Sequence, residues 1–122
     1  MNEYTIIQKL IEKIWRAPLS KEILTKKIDV SLYENLKSKI PDKYIFLEEI
    51  FPEEEIETIW DSYKSYLQED KIFPFIGTLG ESVICIGYDE QNYGKIYYFD
   101  FDFGCFLLEE KLDVFINKLV DK

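Results

Sequence analysis

Histidine is missing from this 122-residue chain. Its absence removes the commonest general base near neutral pH and a leading zinc ligand. Ser–His–Asp and Cys–His catalysis are excluded with it. Cysteine is scarce. Cys85 and Cys105 form no CxxC pair, and each sits in an apolar run ("VICIG", "GCFLL"), where cysteine behaves as a small buried hydrophobe. A reducing compartment would keep both as thiols. No run approaches the roughly 18 consecutive apolar residues needed to span a bilayer. The opening "MNEYTIIQKLIEKIW" lacks the basic stretch, apolar core and small-residue cleavage site of a signal peptide. A cytoplasmic location is the expectation.

Positive charge is also short, with 15 Lys/Arg against 24 Asp/Glu and a net charge of −9. The imbalance is uneven. Residues 1–43 carry 9 basic and 6 acidic side chains, a local +3, whereas residues 44–122 carry 6 and 18, a local −12. Such a bias argues against nucleic acid or an anionic membrane as partner. It suits a basic protein partner, or simple solubility. The chain is nonetheless 47% hydrophobic and 16% aromatic, which is ample for one packed domain over residues 1–122.

Periodicity locates the elements. Tyr4, Ile7, Leu10, Ile11, Ile14 and Trp15 recur at helical steps and predict an amphipathic helix over 3–16, with Asn2 as N-cap and Pro18 beyond its end. Residues 19–43 suggest one or two short helices ended by Pro41 and capped at Ser20 and Ser31, so that 1–39 reads as a helical N-terminal part. A further helix runs from Pro52 to Gln68. Ile56, Ile59, Trp60, Tyr63 and Leu67 form its apolar stripe, and Glu54, Glu57, Asp61 and Gln68 its wet face. Trp15 and Trp60 are expected in the core.

Beyond Gln68 the pattern turns β-like, with strands expected near 73–77, 82–88, 95–103 and 105–108, and "DEQNYG" as a hairpin loop. A last helix over 109–121 shows Leu112, Phe115, Ile116, Leu119 and Val120 on one face. The sum is an α+β fold: one antiparallel meander with helices packed against it and helices at both ends.

The stretch "YYFDFDFG" carries the most chemical ambiguity. Alternation along a strand puts Tyr97, Phe99, Phe101 and Phe103 on one face and Tyr98, Asp100 and Asp102 on the other. The aspartates then form a solvated face, a partner-contacting edge or part of a metal site. A calcium loop is ruled out, because it needs ligands at alternate positions and a glycine sixth. Gly77 and Gly80 in "IGTLGES" lack the lysine and following helix of a phosphate loop, and read as a strand-to-strand turn. Pairing Glu81 with Asp89, or Asp100 with Asp102, as acid and base rests on chance proximity among 24 acids. No cofactor motif is present.

Several of these segments together resemble the SUKH superfamily, which includes bacterial immunity proteins and fungal regulators of cell-wall synthesis. Pro74 and Phe75 match its first strand motif, "SVICIG" (Ser82–Gly87) the second, "GKIYYFDFD" (Gly94–Asp102) the hairpin exit and third strand, and "LDVFINKL" (Leu112–Leu119) the closing helix. The resemblance covers about residues 40–120. "IPDKYIFLEEIF" lacks the Asn-Gly turn common in that superfamily, so a pocket built on that turn does not carry over.

The resemblance implies a non-enzymatic immunity protein that binds and neutralises a cognate toxin, a nuclease among the candidates. A basic toxin would meet this acidic chain with complementary potential. Contact residues are expected among Glu54, Glu57 and Asp61 of the helix, or Asp100 and Asp102 of the strand. The alternatives are an intracellular scaffold or regulator, and a metal-dependent enzyme built on Asp100 and Asp102. Oligomeric state stays open, since an exposed edge strand can pair with a copy unless nearby charge prevents it.

Overall fold

The computed structural model describes residues 3–12, 14–15 and 19–122. Asn2 and Pro18, the expected cap and stop of the first helix, lie outside the described residues, as does the side chain of Tyr4. In chain order the elements are α1 (Glu3–Ile11), α2 (Leu19–Leu24), β1 (Lys26–Asp29), a 3-10 turn (Val30–Leu32), α3 (Glu34–Lys37) and β2 (Tyr44–Ile50). A second 3-10 turn (Glu53–Glu55), α4 (Ile56–Leu67), β3 (Ile72–Thr78), β4 (Ser82–Gly87), β5 (Ile96–Asp100), β6 (Gly104–Glu109), α5 (Leu112–Asn117) and β7 (Val120–Asp121) follow. The fold is α+β.

All seven strands belong to one antiparallel sheet in the order β6-β5-β4-β3-β2-β1-β7. Six strands meander, and β7 returns to pair with β1 through Lys26↔Asp121 and Lys27↔Val120. Laid flat, six strand spacings would separate β6 from β7 by about 29 Å. Yet Asn35 at the start of α3, just after β1, donates its side-chain N–H to the Leu107 carbonyl of β6 at 2.7 Å. Lys118, just before β7, pairs with Glu109 of β6 at 2.8 Å. The sheet is therefore curled until its two edges share side-chain partners.

The curl explains a burial pattern that a simple two-layer reading misses. Every residue of β4 is buried, as is all of β3 except Gly77. On β5 both Phe99 and its neighbour Tyr98 are buried, although they point to opposite faces. The strand face shared by Tyr98 and Asp100 was expected to be solvated at the aspartates, but at Tyr98 it is buried, so both faces of the central strands are covered.

The helical stripes hold where they were expected and the boundaries move. Ile56, Trp60 and Leu67 are buried and Ile59 and Tyr63 partly so. Trp60 lies 5.4 Å from the Phe73 ring and meets Tyr88 edge-on. Pro52 is extended and precedes the 3-10 turn rather than opening the helix, leaving Glu53, Glu54 and Glu55 at the positive end of the helix dipole. Helix α1 stops at Ile11. A tight turn, with the Ile14 N–H donating to the Ile11 carbonyl at 2.9 Å, keeps Ile14 in the core. It also brings the Trp15 indole N–H to the Phe51 carbonyl at 2.9 Å.

Residues 1–39 are not wholly helical, because β1 runs through them. Ser20 lies inside α2, and the 3-10 turn is capped by Asp29, whose Oδ1 accepts from the Ser31 N–H and hydroxyl at 3.0 and 2.6 Å. At the C-terminus the helix covers only 112–117. Leu119 follows it and Val120 belongs to β7.

Candidate protein-binding site

The third strand was expected to run to residue 103, but β5 ends at Asp100. The cause is Asp100 itself. Its Oδ1 accepts the backbone N–H of Asp102 at 2.7 Å and of Phe103 at 3.2 Å, an Asx turn that bends the chain at once into β6. Gly104 closes the bend with φ +98°, a conformation that side chains rarely adopt. Asp100 Oδ2 also accepts from the Tyr98 hydroxyl at 3.2 Å.

Asp100 and Asp102 therefore do not share a strand face. Asp100 is half-buried and holds the turn, and Asp102 is exposed on it. Phe101 and Phe103 leave the expected aromatic ladder as well, each 45% exposed at the tip. Phe101 stacks on Tyr63 at 6.0 Å and meets Tyr66 edge-on at 4.9 Å and Phe99 at 5.1 Å. This ring cluster ties the hairpin tip to the C-terminal half of α4.

Antiparallel register brings two more connections to the same end of the sheet. Ser82 pairs with Asp100, and the Leu79 N–H donates to the Phe46 carbonyl at 2.9 Å. The turn between β3 and β4 thus stands between the β5–β6 tip and the start of β2. Thr78 and Ser82 hydroxyls brace that turn at 2.5 Å. Leu79 is 67% exposed and Tyr44, the first residue of β2, 43%.

Between these connections lies a cleft of about 300 Å³, lined by Asp42, Tyr44, Phe46, Leu79, Glu81, Tyr98 and Asp100 among others. The Tyr98 hydroxyl is pushed up to about 12, first by burial, with the Asp100 carboxylate adding to the rise and a bond to Ser82 opposing it. Tyr98 accordingly stays a neutral donor to Asp100. Lys27 lies above the Tyr44 ring at 4.1 Å and the Phe46 ring at 5.5 Å. This end of the molecule presents exposed apolar groups (Tyr44, Leu79, Phe101, Phe103) among the carboxylates of Asp42, Glu81, Asp100 and Asp102.

The other predicted residues lie elsewhere. Glu54 is exposed in the 3-10 turn, Glu57 and Asp61 are exposed on α4, and Asp61 pairs with Lys64 at 3.5 Å. At 100° per residue, Glu57 and Asp61 stand roughly 120–180° around the helix from Tyr63 and Tyr66, which meet Phe101. Glu54 and Glu57 instead border a depression shared with Gln8 of α1. The two predicted acidic sets occupy different surfaces. Glu81 and Asp89 flank β4 at opposite ends, about 20 Å apart along a six-residue strand, and cannot act as a pair.

Among the described residues no group of three or more His, Cys, Asp or Glu is arranged to hold a metal ion. Burial raises the Cys85 thiol well above its usual range and the Cys105 thiol to about 12, which is unlike a reactive cysteine. Sequence reasoning missed Asp42, Tyr44, Leu79 and the exposure of Phe101 and Phe103. One signal was present: an aspartate four residues before a glycine, in "DFDFG", has the composition of an Asx turn.

The RhsPI family model, that of Rhs-associated immunity proteins, matches residues 22–120. The match begins well before the resemblance noted from the strands and takes in the second half of α2 and all of β1. No curated protein matches the chain.

Proposed function

Because the chain belongs to the RhsPI family of Rhs-associated immunity proteins, we propose that it binds one cognate Rhs toxin domain and neutralises it by occlusion. The observation that carries this reading is the set of exposed apolar side chains among carboxylates at one end of the sheet. Surfaces of that composition serve protein recognition. The toxin domain is a nuclease with a basic substrate groove, a reading supported by the net charge of −9 and by the attraction such a groove exerts on acidic surfaces. The encounter takes place in the cytoplasm. The domain is of the SUKH type, a placement supported by the order of the motifs from Pro74 to Leu119.

An interface of standard size buries about 800 Å² on each partner. One end of this molecule suffices for that. The test is to purify the chain with the toxin domain encoded beside it and to titrate the toxin's activity. Loss of activity at one equivalent, with the toxin recovered intact in a complex, is the expected result. A toxin that stays fully active with the chain in excess would overturn the proposal.

A further inference from the structure

Of the two acidic surfaces, we propose that the end of the sheet, and not the outer face of α4, is the docking surface, and that its occupant is a basic, arginine-bearing face of the toxin domain. The inference rests on the immunity reading above. Two independent features of the surface converge. Its turns carry exposed apolar side chains: Leu79 stands out from the β3–β4 turn, and Phe101 and Phe103 from the β5–β6 turn. The turns are held from below by the Asp100 side chain and by the Thr78–Ser82 hydroxyl pair. Anchors on braced turns lose little conformational freedom on binding, a property of interface hot spots.

Its rim is acidic. Asp42, Glu81 and Asp100 border the 300 Å³ cleft, and Tyr44 and Phe46 supply aromatic wall. Carboxylates beside an aromatic face accept a guanidinium both by paired hydrogen bonds and by stacking. The same two rings already carry a cation within the chain, the Lys27 ammonium. The outer face of α4 has acids without such exposed apolar neighbours. Glu57 and Asp61 are flanked by Thr58, Ser62 and Lys64, and Asp61 is already paired with Lys64.

The two halves of the surface act on different rates. Apolar anchors excluded from water govern dissociation, whereas rim carboxylates govern the salt-sensitive encounter. Surface plasmon resonance with an inactivated form of the adjacent-gene toxin domain, at low and high salt, separates them. Leu79→Ser and Phe103→Ser are expected to speed dissociation at least tenfold at both salt concentrations. Glu81→Gln with Asp102→Asn is expected to slow association several-fold at low salt and to flatten its salt dependence. Glu57→Gln with Asp61→Asn is expected to bind as the parent does. All variants should keep the parent's circular dichroism, since each changed side chain is exposed.

Parent-like binding by the Leu79 and Phe103 variants would overturn the proposal, as would transfer of the losses to the Glu57/Asp61 pair. A salt-insensitive parent would overturn its basic occupant. Failure of the parent chain to bind or silence the toxin at all is a different result, and sinks the immunity reading itself.

Discussion

Asn92 in the loop between β4 and β5 is the side chain whose removal should cost the fold most for its size. It is 9% exposed. Its Oδ1 accepts the Asp89 N–H at 3.0 Å, and its Nδ2 donates to the carbonyls of Asp70 and Lys71 at 3.0 and 3.2 Å. One amide thus closes its own loop and pins it to the corner between α4 and β3. That corner is strained, because Lys71 holds φ +57° without being glycine. Asn92→Ala deletes three bonds, each contributing about 0.5–1.5 kcal/mol net, and leaves polar groups short of partners. The expected loss is about 2–4 kcal/mol. For a chain of this length that lowers Tm by roughly 10 °C. Urea denaturation and a thermal melt measure it, with Glu90→Ala as control. Glu90 is exposed in the same loop and should change stability by less than about 0.5 kcal/mol. If Asn92→Ala fell within the same limit as Glu90→Ala, the pinning argument would be refuted.

Three further outcomes are expected. Gly87→Ala would place a Cβ 2.2 Å from the Asn92 backbone carbonyl; it should cost about 2–3 kcal/mol, and the cost should persist in an Asn92→Ala background because the obstacle is main chain. Tyr98 binds its proton more tightly folded than unfolded, being raised to about 12, so its contribution is intact below the unfolded value near 10 and is lost as pH climbs from there toward 12. Denaturation midpoints should fall as pH rises from about 10 toward 12, the fall should shrink in Tyr98→Phe, and a flat profile in the parent would contradict the assignment. Cys85 is buried and Cys105 partly so, both with raised thiol values. A disulfide reagent at pH 8 should therefore label the native protein slowly and the denatured protein with two equivalents; rapid native labelling would show that the β4–β6 region opens readily.

Local pattern revealed much of the architecture. The stripe of Ile56, Trp60 and Leu67 predicts α4 because the 3.6-residue repeat needs no knowledge of what it packs on. The β-branched and aromatic runs bounded by glycines locate β3, β4, β5 and β6 for a similar reason. Strand β1 stayed hidden. "KKID" has one buried residue, Ile28, in four, and is a strand because β2 and β7 lie on either side of it. Strand β7 has two residues and no signal of its own. Alternation failed at "YYFDFDFG" because the Asp100 carboxylate, accepting the backbone N–H groups of Asp102 and Phe103, outweighed the period-two pattern.

The candidate surface divides the same way. Its chemistry was readable: acids in excess, aromatics in plenty, no histidine, and two sets of carboxylates worth watching. Which carboxylates stand together was not. Asp42, Glu81 and Asp100 are separated by tens of residues and meet because antiparallel register and the curl of the sheet bring three connections to one end. Composition and periodicity are properties of neighbours in the chain, and they determined the fold class, the main helices and the exclusion of histidine-based catalysis. The strand order, the burial of Tyr98 and the exposure of Phe101 depend on contacts between residues far apart in sequence, and only the tertiary structure decided them.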